Sequence, residues 1–202
     1  ESERFPGLTA KDASYSKQEF INLQRMGLEY GVRIIPEIDI PAHSLAFAHY
    51  KPEIASRKYG MDHLDLYKKE TYQFVDSLLD EYLSGDNPVF IGDLHIGTDE
   101  YNKKEAEQYR YFTDRYLKFV EKYGKNVRMW GGLKWLPGKT PVKAEGVTVN
   151  AWSYDWVDPV VSLQDGYKLI NTCDTYLYIV PAAGYYRDFL DHQWIYEKWS
   201  PW

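Results

Sequence analysis

Val89-Phe-Ile-Gly-Asp-Leu-His-Ile-Gly-Thr-Asp-Glu100 is a short apolar run that ends in a histidine, a glycine and two adjacent carboxylates. Side chains alternate sides along a strand, so neighbouring acids inside one cannot share a pocket. At the strand's carboxyl end the restriction lapses: after Gly97 the chain is free to turn, and Asp99 and Glu100 can converge on one ligand. Crowding and partial burial push the pKa values of such a pair apart, leaving one group ionised and the other available as an acid near neutral pH. The competing structural use of the dipeptide is a loop or a helix N-terminus, where carboxylates suit the dipole.

Outward from this segment, apolar β-rich runs alternate with amphipathic helices. Strands are expected over 32–38, 89–96, 127–130, 147–152 and 168–170, the last resuming at 176–180. Most are continuous apolar runs, as in parallel strands covered on both faces. Ser16 to Tyr30 opens with a Ser-Lys-Gln-Glu capping box and stops at Gly31. Tyr72, Val75, Leu79 and Tyr82 mark a second helix, and Ala106, Tyr109, Tyr116, Phe119 and Tyr123 a third. Asp158-Pro159 opens a short fourth helix, closed by Gly166. This is an α/β chain with a parallel sheet. No Gly-rich phosphate loop follows the first strand, which disfavours a doubly wound sheet. The strands end instead in Asp39 and His43, in Asp99 and Glu100, in Trp130 and in Trp152, the pattern of a (β/α)8 TIM-type barrel. A full barrel has eight strands, so the chain supplies about five βα units of one.

At 202 residues, 44% hydrophobic and 27% charged, the chain can bury a core and reads as one domain. A net charge of -6 without a run of Lys or Arg disfavours nucleic acid and anionic membranes as partners. Nineteen Tyr and seven Trp supply flat amphipathic faces of the kind sugar rings stack on. Cys173 is alone, so no intrachain disulfide forms. No stretch is long and apolar enough to insert in a bilayer. The chain begins Glu1-Ser-Glu-Arg rather than with Met, and the expectation is a piece of a longer protein that is secreted or held at the cell surface.

These residues resemble glycoside hydrolase family 20, the β-N-acetylhexosaminidases and their lacto-N-biosidase relatives. His95-Ile-Gly-Thr-Asp-Glu100 is similar to the family's His-x-Gly-x-Asp-Glu signature, and Ile35-Pro-Glu-Ile-Asp-Ile-Pro-Ala-His-Ser44 to its Pro-Glu-x-Asp-x-Pro-Gly-His segment. Trp130 and Trp152 stand where the family places pocket tryptophans. Tyr176-Leu177 resembles its Tyr-Leu-Asp segment, with Tyr178 in place of the Asp. The resemblance runs from Arg4 to Trp202. It implies that the strands are the third to the seventh of the barrel, and that residues 1–202 form a single, incomplete catalytic domain. The first, second and eighth strands, with an Arg, a Trp and a Glu that hold the sugar, would come from further segments or from self-association.

The activity implied is that of a retaining exo-glycosidase using substrate assistance in place of a protein nucleophile. Glu100 would be general acid and then general base. Asp99 would orient the 2-acetamido N–H, Tyr176 would donate to the acetamido oxygen, and Trp130 and Trp152 would wall the pocket. The partners implied are glycans carrying β-linked N-acetylhexosamine, with no cofactor and no metal. Tyr178 leaves release of the disaccharide lacto-N-biose open.

Structural uses compete for several of these residues. Asp39 and His43 would brace one another across Pro41. His95 is a core histidine or a site residue, and Glu37 would pair with a neighbouring helix. Trp135, Trp156, Trp194 and Trp199 are assigned to packing or interfaces. Strand alternation lets only one of Tyr176 and Tyr178 face inward, and Tyr176 is preferred. An inactive glycan-binding module is one rival. A metal-dependent barrel hydrolase using His43, His95, Asp99 and Glu100 is another, although no His-x-His or His-Glu-x-x-His spacing accompanies it.

Overall fold

The computed structural model describes residues 1–200, so Trp202, where the resemblance ends, lies outside the described residues. Helix α1 (Lys17–Glu29) starts on the expected capping box: Ser16 accepts the Glu19 N–H, and the Glu19 carboxylate accepts the Ser16 N–H at 2.8 Å. Its other end closes through Gly31, at φ +72°, and the Val32 N–H, which donates to Gly27 O at 2.8 Å. Val32 is thus consumed in ending the helix, and Pro36 has no donor to give. Strand β1 accordingly spans Glu37–Ile40 and not 32–38.

After β1 come elements too short to carry a period: α2 (Leu45–Tyr50) and the antiparallel hairpin β2 (Ala55–Ser56) and β3 (Gly60–Leu64). Helix α3 (Lys69–Leu83) follows and buries Phe74, Val75, Leu78 and Leu79. Strand β4 is Leu94–Gly97, shorter than the expected 89–96. Upstream of it, the buried Gln24 of α1 donates Nε2 to Val89 O at 2.7 Å and accepts the Ile91 N–H at 3.1 Å. The Phe90 N–H donates to Tyr82 O at 3.0 Å, so helices rather than a strand satisfy this stretch.

The remaining elements are α4 (Ala106–Glu121), β5 (Val127–Met129), β6 (Val147–Ala151), α5 (Pro159–Gln164), β7 (Lys168–Asn171), α6 (Asp174–Leu177) and α7 (His192–Lys198). The strand expected to resume at 176–180 is instead α6 and its exit. The Tyr176 and Leu177 N–H groups both return to Cys173 O, at 3.1 and 3.0 Å, and close a helical turn.

Five parallel strands form one sheet in the order β1-β4-β5-β6-β7, with β1 and β7 at its edges. Glu37 stands opposite His95, His95 opposite Arg128, Arg128 opposite Thr148, and Thr148 opposite Lys168. Residues paired in register share a face, so a polar row crosses the whole sheet on one side. Leu94, Val127 and Val147 form the matching row on the other side and join Phe112, Leu117 and Val120 of α4 in the core. The sheet's uncovered face is therefore polar, not the apolar interior that an open piece of barrel suggests. Among the described residues no helix is long and apolar enough to cross a membrane.

Candidate active site

The turn after β4 is held by hydrogen bonds to β1, to α4 and within itself. The Thr98 N–H donates to Ile40 O at 3.0 Å, the buried Tyr109 hydroxyl of α4 donates to Thr98 O, and Thr98 Oγ1 donates to Gly97 O at 2.6 Å. Gly97, Thr98 and Glu100 all have positive φ, at +68°, +69° and +45°. Non-glycine residues adopt this region only where the surroundings hold them, and here it turns Asp99 and Glu100 out of strand alternation.

His43, itself at φ +52°, completes the site. Its Nε2 lies 3.0 Å from Glu100 Oε2 and 3.5 Å from Asp99 Oδ2, with the imidazole and Glu100 each 45% exposed and Asp99 14% exposed. The expected mutual brace of Asp39 and His43 is replaced: His43 reaches forward to the acids, and the loop is braced by the Ser44 hydroxyl, which donates to Asp39 O at 3.2 Å and Ala42 O at 3.0 Å. Hydrogen bonds to Asp99 and Glu100 outweigh burial and hold the His43 pKa up at about 11. The same hydrogen bond holds Glu100 below the usual glutamate range. Asp39 is pushed up to about 8, first by burial and then by the neighbouring Asp99 charge.

A second group lies along the strand ends. Trp130 Nε1 donates to Glu37 Oε1 at 2.6 Å, and the His95 ring packs on Trp130 with centroids 4.7 Å apart. His95 is buried, with Nδ1 3.1 Å from the Gly97 nitrogen and 3.4 Å from Glu37 Oε1. Burial works to raise the Glu37 pKa, but His95 and Trp130 outweigh it and leave Glu37 below the usual range. Glu37 thus faces the site instead of pairing with a helix. Its i,i+2 spacing from Asp39 on one strand face was the signal for it.

The aromatic residues divide. Trp152 is 6% exposed and donates Nε1 to Gly131 O at 3.2 Å, which ties the β5 and β6 exits together. Tyr176 stacks on Trp194 with centroids 4.6 Å apart. Tyr178 is half-buried, and its phenol is held above the usual range by burial, then by Tyr186 and Asp174, and then by the charges of Asp99 and Glu100. With no strand at 176–180, alternation does not choose between the two tyrosines. Asp39, His43 and Asp99 each bring a ligand atom within 4.8 Å of the others, close enough for a cation, whereas His95 is not in this group.

Carboxylates gathered with an imidazole at the carboxyl ends of parallel strands are arranged as in the sites of α/β barrels. The model for "Glycosyl hydrolase family 20, catalytic domain" matches residues 2–194, and the chain belongs to that family. A beta-hexosaminidase of Arthroderma benhamiae is 30% identical over 82% of this chain and 33% of its own length. A lacto-N-biosidase of Bifidobacterium bifidum is 25% identical over 86% of this chain and 17% of its own. Among solved structures, the GH20 beta-N-acetylhexosaminidase of Streptomyces coelicolor superposes with a TM-score of 0.68 at 25% identity, over 88% of this chain and 40% of that one. The beta-N-acetylhexosaminidase of Bacteroides fragilis superposes at 0.72 and 19% identity, over 95% and 44%. The chain thus spans a third or less of these two curated relatives, and its five-stranded sheet is part of a TIM-type barrel.

Proposed function

We propose that the protein containing this chain is a retaining exo-glycosidase that releases β-linked N-acetylhexosamine or lacto-N-biose, with the substrate's 2-acetamido group as nucleophile. The observation that carries this reading is the left-handed turn that delivers Asp99 and Glu100 to one place, with His43 Nε2 at 3.0 Å from Glu100.

Glu100 is the general acid. In the free chain the proton between His43 and Glu100 rests on the imidazole, as the shifts of both groups require. A sugar bound over this half-exposed pair removes water and disfavours the two charges, which moves the proton onto the carboxyl that must donate it. Asp39 is pushed up by burial and by the neighbouring Asp99 charge, and Asp99 is assigned to orient the acetamido N–H and to balance the positive charge formed on attack. We assign the hydrogen bond to the acetamido oxygen to Tyr176 and the apolar walls to Trp130 and Trp152.

Hydrolysis of the p-nitrophenyl β-glycosides of N-acetylglucosamine and of lacto-N-biose by the intact protein tests this, with Glu100→Gln as control. Release from the disaccharide alone indicates a lacto-N-biosidase pocket, and release from the monosaccharide an ordinary hexosaminidase. Cleavage of neither would leave a glycan-binding module as the better account.

A further inference from the structure

Glu100 also lines a groove that none of the groups above uses. His63, Lys103 and Trp135 are among its other walls, and this open groove has a volume of about 450 Å³. Trp135, assigned to packing or an interface by its sequence alone, is 39% exposed. Its ring is the outer member of a row of three indoles: Trp135 packs on Trp156 with centroids 5.1 Å apart, and Trp156 on the buried Trp152 at 5.6 Å.

The backbone on both sides of Trp135 is fixed. The Lys134 N–H donates to Trp156 O at 3.1 Å and the Leu136 N–H to Gly132 O at 2.9 Å. The indole is therefore presented on a loop tied to the β6 exit, at low conformational cost to a ligand. Lys103 holds its ammonium 4.6 Å from the centre of the Trp135 ring, on a flexible stem that can swing aside.

We infer that Trp135 determines specificity as the platform for the leaving-group sugar. The inference rests on the glycosidase reading of Glu100. A general acid stands between the two halves of its substrate, because it protonates the oxygen that joins them. The released sugar is assigned to Asp99, which does not line the groove, so the groove that Glu100 does line is assigned to the leaving group. An exposed indole takes the apolar face of a pyranose, and a neighbouring ammonium donates to its hydroxyls. The substrate class is then a glycan whose leaving group is itself a sugar, not an alkyl alcohol or a peptide side chain.

The test compares two substrates sharing one donor, the donor β-linked to a second N-acetylglucosamine and the same donor as its β-azide, which has no ring to stack. In the intact protein Trp135→Ala is expected to lower kcat/KM for the disaccharide-type substrate by about tenfold or more and leave the azide within about twofold. Trp135→Phe is expected to recover most of the loss and guards against a misfolded alanine variant. Equal effects on both substrates, or none on either, overturn the assignment while hydrolysis by the unsubstituted protein stands. If the unsubstituted protein cleaves neither substrate, the glycosidase reading falls and the assignment falls with it.

Discussion

The Cα of Gly97 on β4 is packed against the Asp39 carboxylate of β1, so that a methyl group at Gly97 would overlap that carboxylate and approach the Asp39 Cα to 2.7 Å. Gly97→Ala is expected to lower stability by about 3 kcal/mol or more, from left-handed strain plus a clash that two paired strands cannot relieve. Gly124→Ala shares the positive φ, at +70°, but meets open space, and should cost only about 1 kcal/mol. Urea unfolding of both variants checks the difference; equal losses would mean that Asp39 moves aside freely.

His43→Gln removes the largest influence holding the Glu100 carboxyl below its ordinary value. Its titration, followed by carboxyl carbon NMR, is expected to move up toward the usual glutamate range, with turnover near pH 7 falling about tenfold or more. An unmoved midpoint would show that the imidazole does not set the acid.

Asp39 titrates at about 8 in the folded chain against 3.8 for the free group, so the native state binds the extra proton between those values. Its contribution to stability is complete below about pH 4 and is lost as pH rises through about 8. Asp39→Asn, which keeps the neutral form's shape, should therefore gain melting temperature relative to the parent as pH goes from 4 to 8. A gain that is constant with pH would contradict a neutral Asp39.

Asp99→Asn is expected to cost roughly a hundred- to a thousandfold in kcat on N-acetyl substrates, as for loss of one charge-stabilising group. The loss should be smaller on an analogue lacking the amide. Comparable losses on both would remove Asp99 from the role of acetamido partner.

Asp39, His43 and Asp99 are close enough to take a divalent cation, but the imidazole binds a proton that a metal would first have to displace. Full activity is expected after dialysis against excess EDTA. Loss of activity that returns with added metal would favour the metal-dependent alternative.

Local chemistry explains which parts of this structure could be read from the chain alone. The capping box at Ser16 and Glu19 and the apolar stripes of α3 and α4 are short-range signals, and they appear where expected. So do the strand exits at Asp39, Asp99, Trp130 and Trp152. The β2–β3 hairpin carries no such signal, because its strands are two and five residues long. Tyr176 to Val180 is β-rich in composition, yet Cys173 O captures two amides and a helical turn forms instead. His43's reach to Glu100 was also hidden, since it depends on a left-handed residue that is neither Gly nor Asn.

Gln24 supplies one residue's worth of sheet from inside a helix. In a parallel ladder a residue bonds the carbonyl before and the amide after its neighbour, and the Gln24 carboxamide makes that same pair of bonds around Phe90, to Val89 O and Ile91 N. A side chain thus stands in for a missing rung just upstream of the strand that carries His95. The Ile91 amide, although outside every strand, should exchange with deuterium as slowly as one inside the sheet.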